Sequence, residues 1–289
     1  PVHSHSSERN TSTVPDALYV NALPRGTLLQ GFELGAPLGQ GGFSIVYAAT
    51  DTTLCRPVAV KEYMPSSFAR RTDSSQVVLR SQRHKTSFAT GLESFIEEAR
   101  LLARFKHPSL VEVLSFWEEN GSAYMAMPLY DGQTLRQTLR DNPACTSEAR
   151  LKRWLAPLLD VLEILHEQQV FHRDIAPDNI IIQPDGTPVL LDLGSARKVV
   201  ADSEHAPTVV VKAGYAPIEQ YAEDKGVPQG PWTDIYALGA TLYYAITGRA
   251  PSASVSRMMK DSLVLLSQQT LEGYSPEFLE GIDRALALQ

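Results

Sequence analysis

His172-Arg173-Asp174-Ile175-Ala176-Pro177-Asp178-Asn179, followed by Asp192-Leu193-Gly194, is the stretch that decides how this chain is read. It sets a carboxylate, Asp174, and a carboxamide, Asn179, on one tight loop, with a second carboxylate, Asp192, after an intervening apolar run. That spacing suits phosphoryl transfer, with Asp174 positioning a substrate hydroxyl while Asn179 and Asp192 hold Mg²⁺ against nucleotide phosphates. A lone H-R-D triplet arises by chance. The triplet with an asparagine at fixed spacing and a following D-x-G is much more specific.

Composition fits a two-lobed globular unit. The chain has 289 residues, 43% hydrophobic and 20% charged, so any disorder is expected to be local. A net charge of −7 argues against nucleic acid as the main partner. Cys55 and Cys145 lie far apart and outside any metal-binding spacing, which points to a reducing, cytoplasmic setting. No apolar run reaches the ~18 residues that a membrane span needs. The opening residues lack the apolar core of a signal peptide, and residues 1–28 are expected to form a flexible polar tail.

Short apolar runs at 32–34, 44–49 and 57–61 predict strands. Apolar residues at helical spacing predict a helix over 92–105, stopped by His107-Pro108. Runs at 110–117 and 123–127 flank Asn120-Gly121 as a hairpin. Beyond these the pattern is helical, at 151–166 and 232–247. Gly39-Gln40-Gly41-Gly42-Phe43 lies between the first two strands, and glycines there let backbone amides approach a phosphate that side chains would hold off. On its own this is an ordinary glycine-rich turn. It gains meaning from Val58-Ala59-Val60-Lys61, an apolar strand ending in lysine, the other half of a nucleotide clamp.

With these segments in order, together with GYAPIEQY and GPWTDIYALGATLY, the chain resembles a eukaryotic-type (Hanks-type) Ser/Thr protein kinase of the bacterial kind from about Phe32 onward. The resemblance implies an α+β, bilobal fold: a small β-rich lobe with one regulatory helix (29–130) and a larger helical lobe (131–289), cut short of its final helix at the C-terminus. It implies ATP and Mg²⁺ (or Mn²⁺), protein substrates, and autophosphorylation of the segment after Asp192. By position, Leu38, Gly39, Gly41, Phe43 and Val46 cover the nucleotide. Ala59, Met127 and Ile181 flank the base, and the backbone of Pro128 and Tyr130 bonds its edge. Lys61 meets the α- and β-phosphates. Its partner is Glu98, ten residues before Pro108 and beside the apolar face of its helix, whereas Glu97 points away.

The departures from the pattern matter as much. Leu193 stands for the Phe of DFG, and Ser44 for the third loop glycine. Lys61 and Glu98 are 37 positions apart, so an insert carrying Arg70, Arg71, Arg80, Arg83, His84 and Lys85 lies between them. It is expected to be a solvated hairpin, with a docking or regulatory surface as the other reading. Glu219 resembles the acid that closes the activation segment, yet its usual arginine partner is missing; Arg284 comes too early. Ala176 occupies the place of the catalytic-loop lysine, while Lys212, seven residues before Glu219, replaces a threonine that normally faces that lysine. Lys212 is therefore expected to supply the missing cation. A nucleotide-binding pseudokinase scaffold is the alternative that Ala176 raises. Thr208 is expected to carry an activating phosphate that pairs with Arg173. A further region beyond Gln289 is also expected.

Overall fold

Alternation along the strands explains most of the small lobe. The computed structural model describes residues 19–193, 211–221 and 227–288. Strands β1 (Leu28–Leu29), β2 (Phe32–Gln40), β3 (Ser44–Asp51) and β4 (Arg56–Tyr63) pair antiparallel in sequence. A separate hairpin follows, β5 (Ala69–Arg71) with β6 (Val77–Leu79), and a short 3₁₀ turn at Gln82–His84 leads into helix α1 (Lys85–Leu102). Strands β7 (Ser115–Glu119) and β8 (Ser122–Pro128) complete a six-stranded sheet of order β1-β2-β3-β4-β8-β7. Asn120 and Gly121 both have positive φ, 54° and 71°, as a two-residue hairpin turn of this kind requires.

The remainder is mainly helical. A small antiparallel sheet contains β9 (Gln133–Thr134), β10 (Ile180–Ile182) and β11 (Pro188–Leu190). Around it lie α2 (Leu135–Asp141), α3 (Glu148–Glu167), α4 (Pro231–Thr247), α5 (Ser254–Met259) and α6 (Pro276–Ala285). A reciprocal capping box between Thr134 and Gln137 starts α2. Helix α4 starts with Pro231 in its first turn and ends at Gly248, whose φ of 72° suits glycine. The chain is thus α+β and two-lobed, as its motifs imply. Among the described residues, no helix is long and apolar enough to cross a membrane.

Strand β4 is buried from Val58 to Tyr63. Successive side chains on a strand point to opposite faces. Ala59 and Tyr63 accordingly join the core shared with α1, while Val58 and Val60 join a second core on the far face with Leu23, Tyr47 and Tyr124. Two consecutive charged residues in this strand, Lys61 and Glu62, are therefore both buried, one on each face. Burying a charge demands a partner, and each has one.

Four expectations need correction. Helix α1 begins at Lys85, well before residue 92, because the insert feeds directly into it and Phe88 extends its apolar stripe. The strand expected over 110–117 begins only at Ser115. Before it, the Val111 amide donates to the Leu190 carbonyl at 2.9 Å and the Leu190 amide to that of Ser109 at 2.8 Å, tying this segment to β11. The expected tail of 1–28 includes packed residues: Asn21 and Leu23 are buried, and the Leu23 amide donates to the Tyr47 hydroxyl. The insert does contain a hairpin, but Arg71 and His84 are not solvated: His84 is buried and the Arg71 side chain is only 7% exposed.

Candidate functional site

Lys61 reaches the cleft from the middle of the sheet, on β4, and its ammonium lies 2.8 Å from Asp192 Oδ1 and 3.3 Å from Glu98 Oε1. Glu98 comes from the buried stripe of α1, whereas Glu97 is exposed and pairs with Arg100. Burial works against a charged Lys61, but Asp192 and then Glu98 more than offset it, and the ammonium titrates above its usual range. The Glu98 carboxyl is pushed upward by burial, with Lys61 opposing. Burial likewise disfavours the ionised Asp192, yet the adjacent Lys61 holds its carboxyl below the usual range. The shorter contact and these directions make Asp192 the main counter-charge of Lys61.

The loop after α3 is fixed from beneath. Asp234, fully buried in the first turn of α4, accepts the His172 amide at 2.8 Å and the Arg173 amide at 2.7 Å. His166 Nε2 sits 2.8 Å from the same carboxylate. The His172 ring is neutral: Nε2–H donates to the Leu191 carbonyl and Nδ1 accepts from the Asp174 amide, while burial pushes its pKa down. Arg173 adopts φ 65° and Asp192 φ 47°, left-handed conformations that cost energy in non-glycine residues and are held by these surroundings. The Asn179 side-chain amide donates to the Asp174 carbonyl and to its carboxylate, and the Asn179 carbonyl accepts the Leu191 amide. Asp174, Asn179 and Asp192 are thus linked through one hydrogen-bonded framework. Asp234→Ala would strand two buried amides, so unfolding stability is expected to fall by roughly 2–5 kcal/mol. Asp234→Asn, which keeps one acceptor, should lose less; denaturant unfolding of both variants measures the difference.

Lys212 approaches from the opposite side, its ammonium 3.4 Å from Asp174 Oδ1. Its carbonyl accepts the Tyr215 and Ala216 amides, a turn that fixes the backbone from which the side chain extends. Ala176 is fully buried. Lys212 thus places a cation beside the Asp174 carboxylate. Glu219 is buried and accepts the Thr233 hydroxyl at 2.7 Å; among the described residues no ion pair reaches it, and Arg284 is exposed. Thr208 and Gly194 lie outside the described residues. Arg173 Nε is buried with no hydrogen-bond partner among those described.

These groups line one cleft of about 510 Å³ under the glycine-rich turn. Gly39, Gly41, Phe43 and Val46 form its roof, with Lys61 and Glu98 at the back and Asp174, Asn179 and Asp192 below. Leu193 fills a buried slot, as a phenylalanine would. The other expected base contacts do not border this cavity. Ala59 and Met127 face each other across β4 and β8, both buried; Ile181 lies in β10; Pro128 ends β8 and Tyr130 follows it; and Leu38 is exposed. Sequence reasoning missed Tyr63, Phe95 and Asp178 in the lining. Phe95 was legible from the α1 stripe, Asp178 only from its loop position, and Tyr63 only through strand alternation. One carboxylate and one amide oxygen, at Asp192 and Asn179, form a hard-oxygen donor set that fits Mg²⁺, which takes few protein ligands and leaves the other positions to phosphate and water.

Known proteins resemble this chain over most of its length. The protein kinase domain family matches residues 32–280. Serine/threonine-protein kinase B of Synechocystis sp. is 33% identical over 74% of this chain, and PknL of Mycobacterium tuberculosis is 30% identical over 87%. The chain spans 36% and 59% of their respective lengths. The solved structure of PpkA-294 in its apo form is 48% identical, superimposes with a TM-score of 0.84, and matches 93% of this chain and 94% of its own.

Proposed function

Because the chain belongs to the protein kinase domain family, we propose that it transfers the γ-phosphoryl group of ATP to serine and threonine hydroxyls of protein substrates, its own activation segment included. The observation that carries this is the convergence of Lys61, Glu98, Asp174, Asn179 and Asp192 on one cleft roofed by the glycine-rich turn. Kinases of this family work on ATP with a divalent metal. Asn179 and Asp192 would hold Mg²⁺ (or Mn²⁺), which when bound neutralises charge on the phosphate oxygens.

The chain's own groups supply the rest. Asp174 orients the substrate hydroxyl and receives its proton as the oxygen bonds to the γ-phosphorus and the bond to the ADP oxygen breaks. Lys61, kept charged by Asp192 and Glu98, binds the α- and β-phosphates. Lys212 takes over the γ-phosphate role left vacant by Ala176, a reading supported by its position 3.4 Å from Asp174. Leu38, Ala59, Met127 and Ile181 enclose the base, and the backbone of Pro128 and Tyr130 bonds its edge. The catalytic unit runs from residue 29, with its lobes meeting between residues 130 and 131. The unpaired cysteines support a cytoplasmic setting, and the acidic net charge supports protein rather than nucleic-acid substrates.

Incubation with γ-labelled ATP, Mg²⁺ and a serine- and threonine-containing protein should place label on those two residue types. Nucleotide binding with no transfer to any protein, itself included, would instead favour the scaffold.

A further inference from the structure

We infer that the insert of residues 64–84 is an internal brace: the buried Arg71–Glu62 pair on the far face of β4 fixes the approach of α1, and so holds Glu98 against Lys61. Arg71 and Glu62 are then positioning residues for the transfer. The inference rests on the kinase reading for its activity measurement alone.

Glu62 is wholly buried and directly follows Lys61. Its carboxylate accepts Arg71 Nη2 at 2.6 and 2.7 Å, the Tyr47 hydroxyl at 2.7 Å and the Tyr124 hydroxyl at 2.8 Å. Each of these partners belongs to a different element, so one carboxylate gathers the insert, β3 and β8. Arg71 spends its other donors on the Asn21 and Ser75 carbonyls. Tyr124 is bonded by Asn120, whose carbonyl accepts the Val77 amide and whose side chain accepts from Gln76. The hairpin is thereby stitched to the N-terminal segment at one end and to the β7–β8 turn at the other.

The same insert leads straight into the helix that carries Glu98. The Arg80 amide donates to the Phe68 carbonyl, its guanidinium to the carbonyls of Ser66 and Ala69, and buried His84 stacks on Phe68 just before α1 starts. On the cleft face, the Tyr63 hydroxyl donates to the Phe88 carbonyl, and its ring packs on Phe88 and Phe95. Gly91 leaves the notch for it: a Cβ there would lie 2.2 Å from the Tyr63 hydroxyl. Glu62 and Tyr63, neighbours on one strand, thus hold the two ends of the brace: Glu62 the hairpin, Tyr63 the helix that carries Glu98. A solvated hairpin would have no reason to place an arginine inside, and a docking surface would present it outward.

In Arg71→Met, assayed well below its unfolding temperature, kcat is expected to fall about tenfold, the scale of coupling through packed networks. KM for the protein substrate should hold, and Arg71→Lys should restore part of the loss. Amide exchange over 85–98 should quicken while α3 and α4 stay as they were. Wild-type-like kcat in folded Arg71→Met, or unchanged exchange in α1, would overturn the inference. If Arg71→Met does not fold, Glu62→Gln/Arg71→Met, which leaves no unpaired buried charge, carries the same expectations. In the wild type itself, residues 69–79 and 85–98 should open in exchange as one unit, and separate opening would refute the brace. The exchange measurements need no turnover, so they decide the matter even if transfer is never observed.

Discussion

Asp174→Asn and Asp192→Asn are both expected to abolish phosphoryl transfer, lowering turnover by at least about three orders of magnitude, the scale of charge-stabilising groups in this chemistry. The two should part in nucleotide binding. Asp192 holds Lys61 at 2.8 Å and supplies the carboxylate of the metal donor set, so Asp192→Asn should also weaken Mg²⁺-nucleotide binding strongly. Asp174 meets Asn179 and Lys212 instead, so Asp174→Asn should bind Mg²⁺-nucleotide nearly as the wild type does. Both should fold, since neither lies in an apolar core. Titration calorimetry beside a transfer assay separates the two losses, and wild-type turnover in Asp174→Asn would end the kinase reading.

Lys212→Ala should lower turnover at least ~100-fold while leaving Mg²⁺-nucleotide affinity nearly unchanged, the signature of a cation used chiefly in the transition state. Its ammonium sits 3.4 Å from Asp174, the carboxylate proposed to orient the substrate hydroxyl. Lys212→Arg should keep part of the activity, and Lys212→Met, which matches the length without the charge, should keep none of it. Normal turnover in Lys212→Ala would mean that the lysine serves only as a surface neighbour of Asp174. Restoring lysine at 176 is the less informative test, because Ala176 is fully buried and a long side chain there must first displace its surroundings.

Much of this site was legible because its parts lie at short, fixed spacings. The His172–Asn179 loop and Asp192 are read from one stretch, and Lys61 from the end of an apolar strand. Glu98 followed from the resemblance, ten residues before Pro108, with helical geometry favouring it over Glu97, and it proved 1% exposed. The brace was not legible. Arg71 sits in a run of basic residues that looks solvated, and its burial depends on Glu62 and on tyrosines from two other strands. Nothing local to residue 71 announces partners that meet only in three dimensions. The early start of α1 was hidden for a related reason: its first turns carry few apolar residues, and Phe88 gains its place only by packing on Tyr63. Lys212 fell between, since counting back from Glu219 gave its position but the opposed Asp174 contact needed the fold.

The backbone bonds joining Ser109 and Val111 to Leu190 give the lobes a second attachment besides the linker at 128–131. A body held at one point can swivel in any direction, whereas one held at two keeps a single rotation, about the line through both. Once the Lys61–Asp192 pair parts, cleft opening is expected to be a door-like swing on an axis passing near Leu110 and the linker. A shearing twist of one lobe over the other would first have to break the Val111 and Leu190 amide bonds. Nucleotide entry and exit then follow one mechanical coordinate, and slow exchange at those two amides would mark the pin on which the door turns.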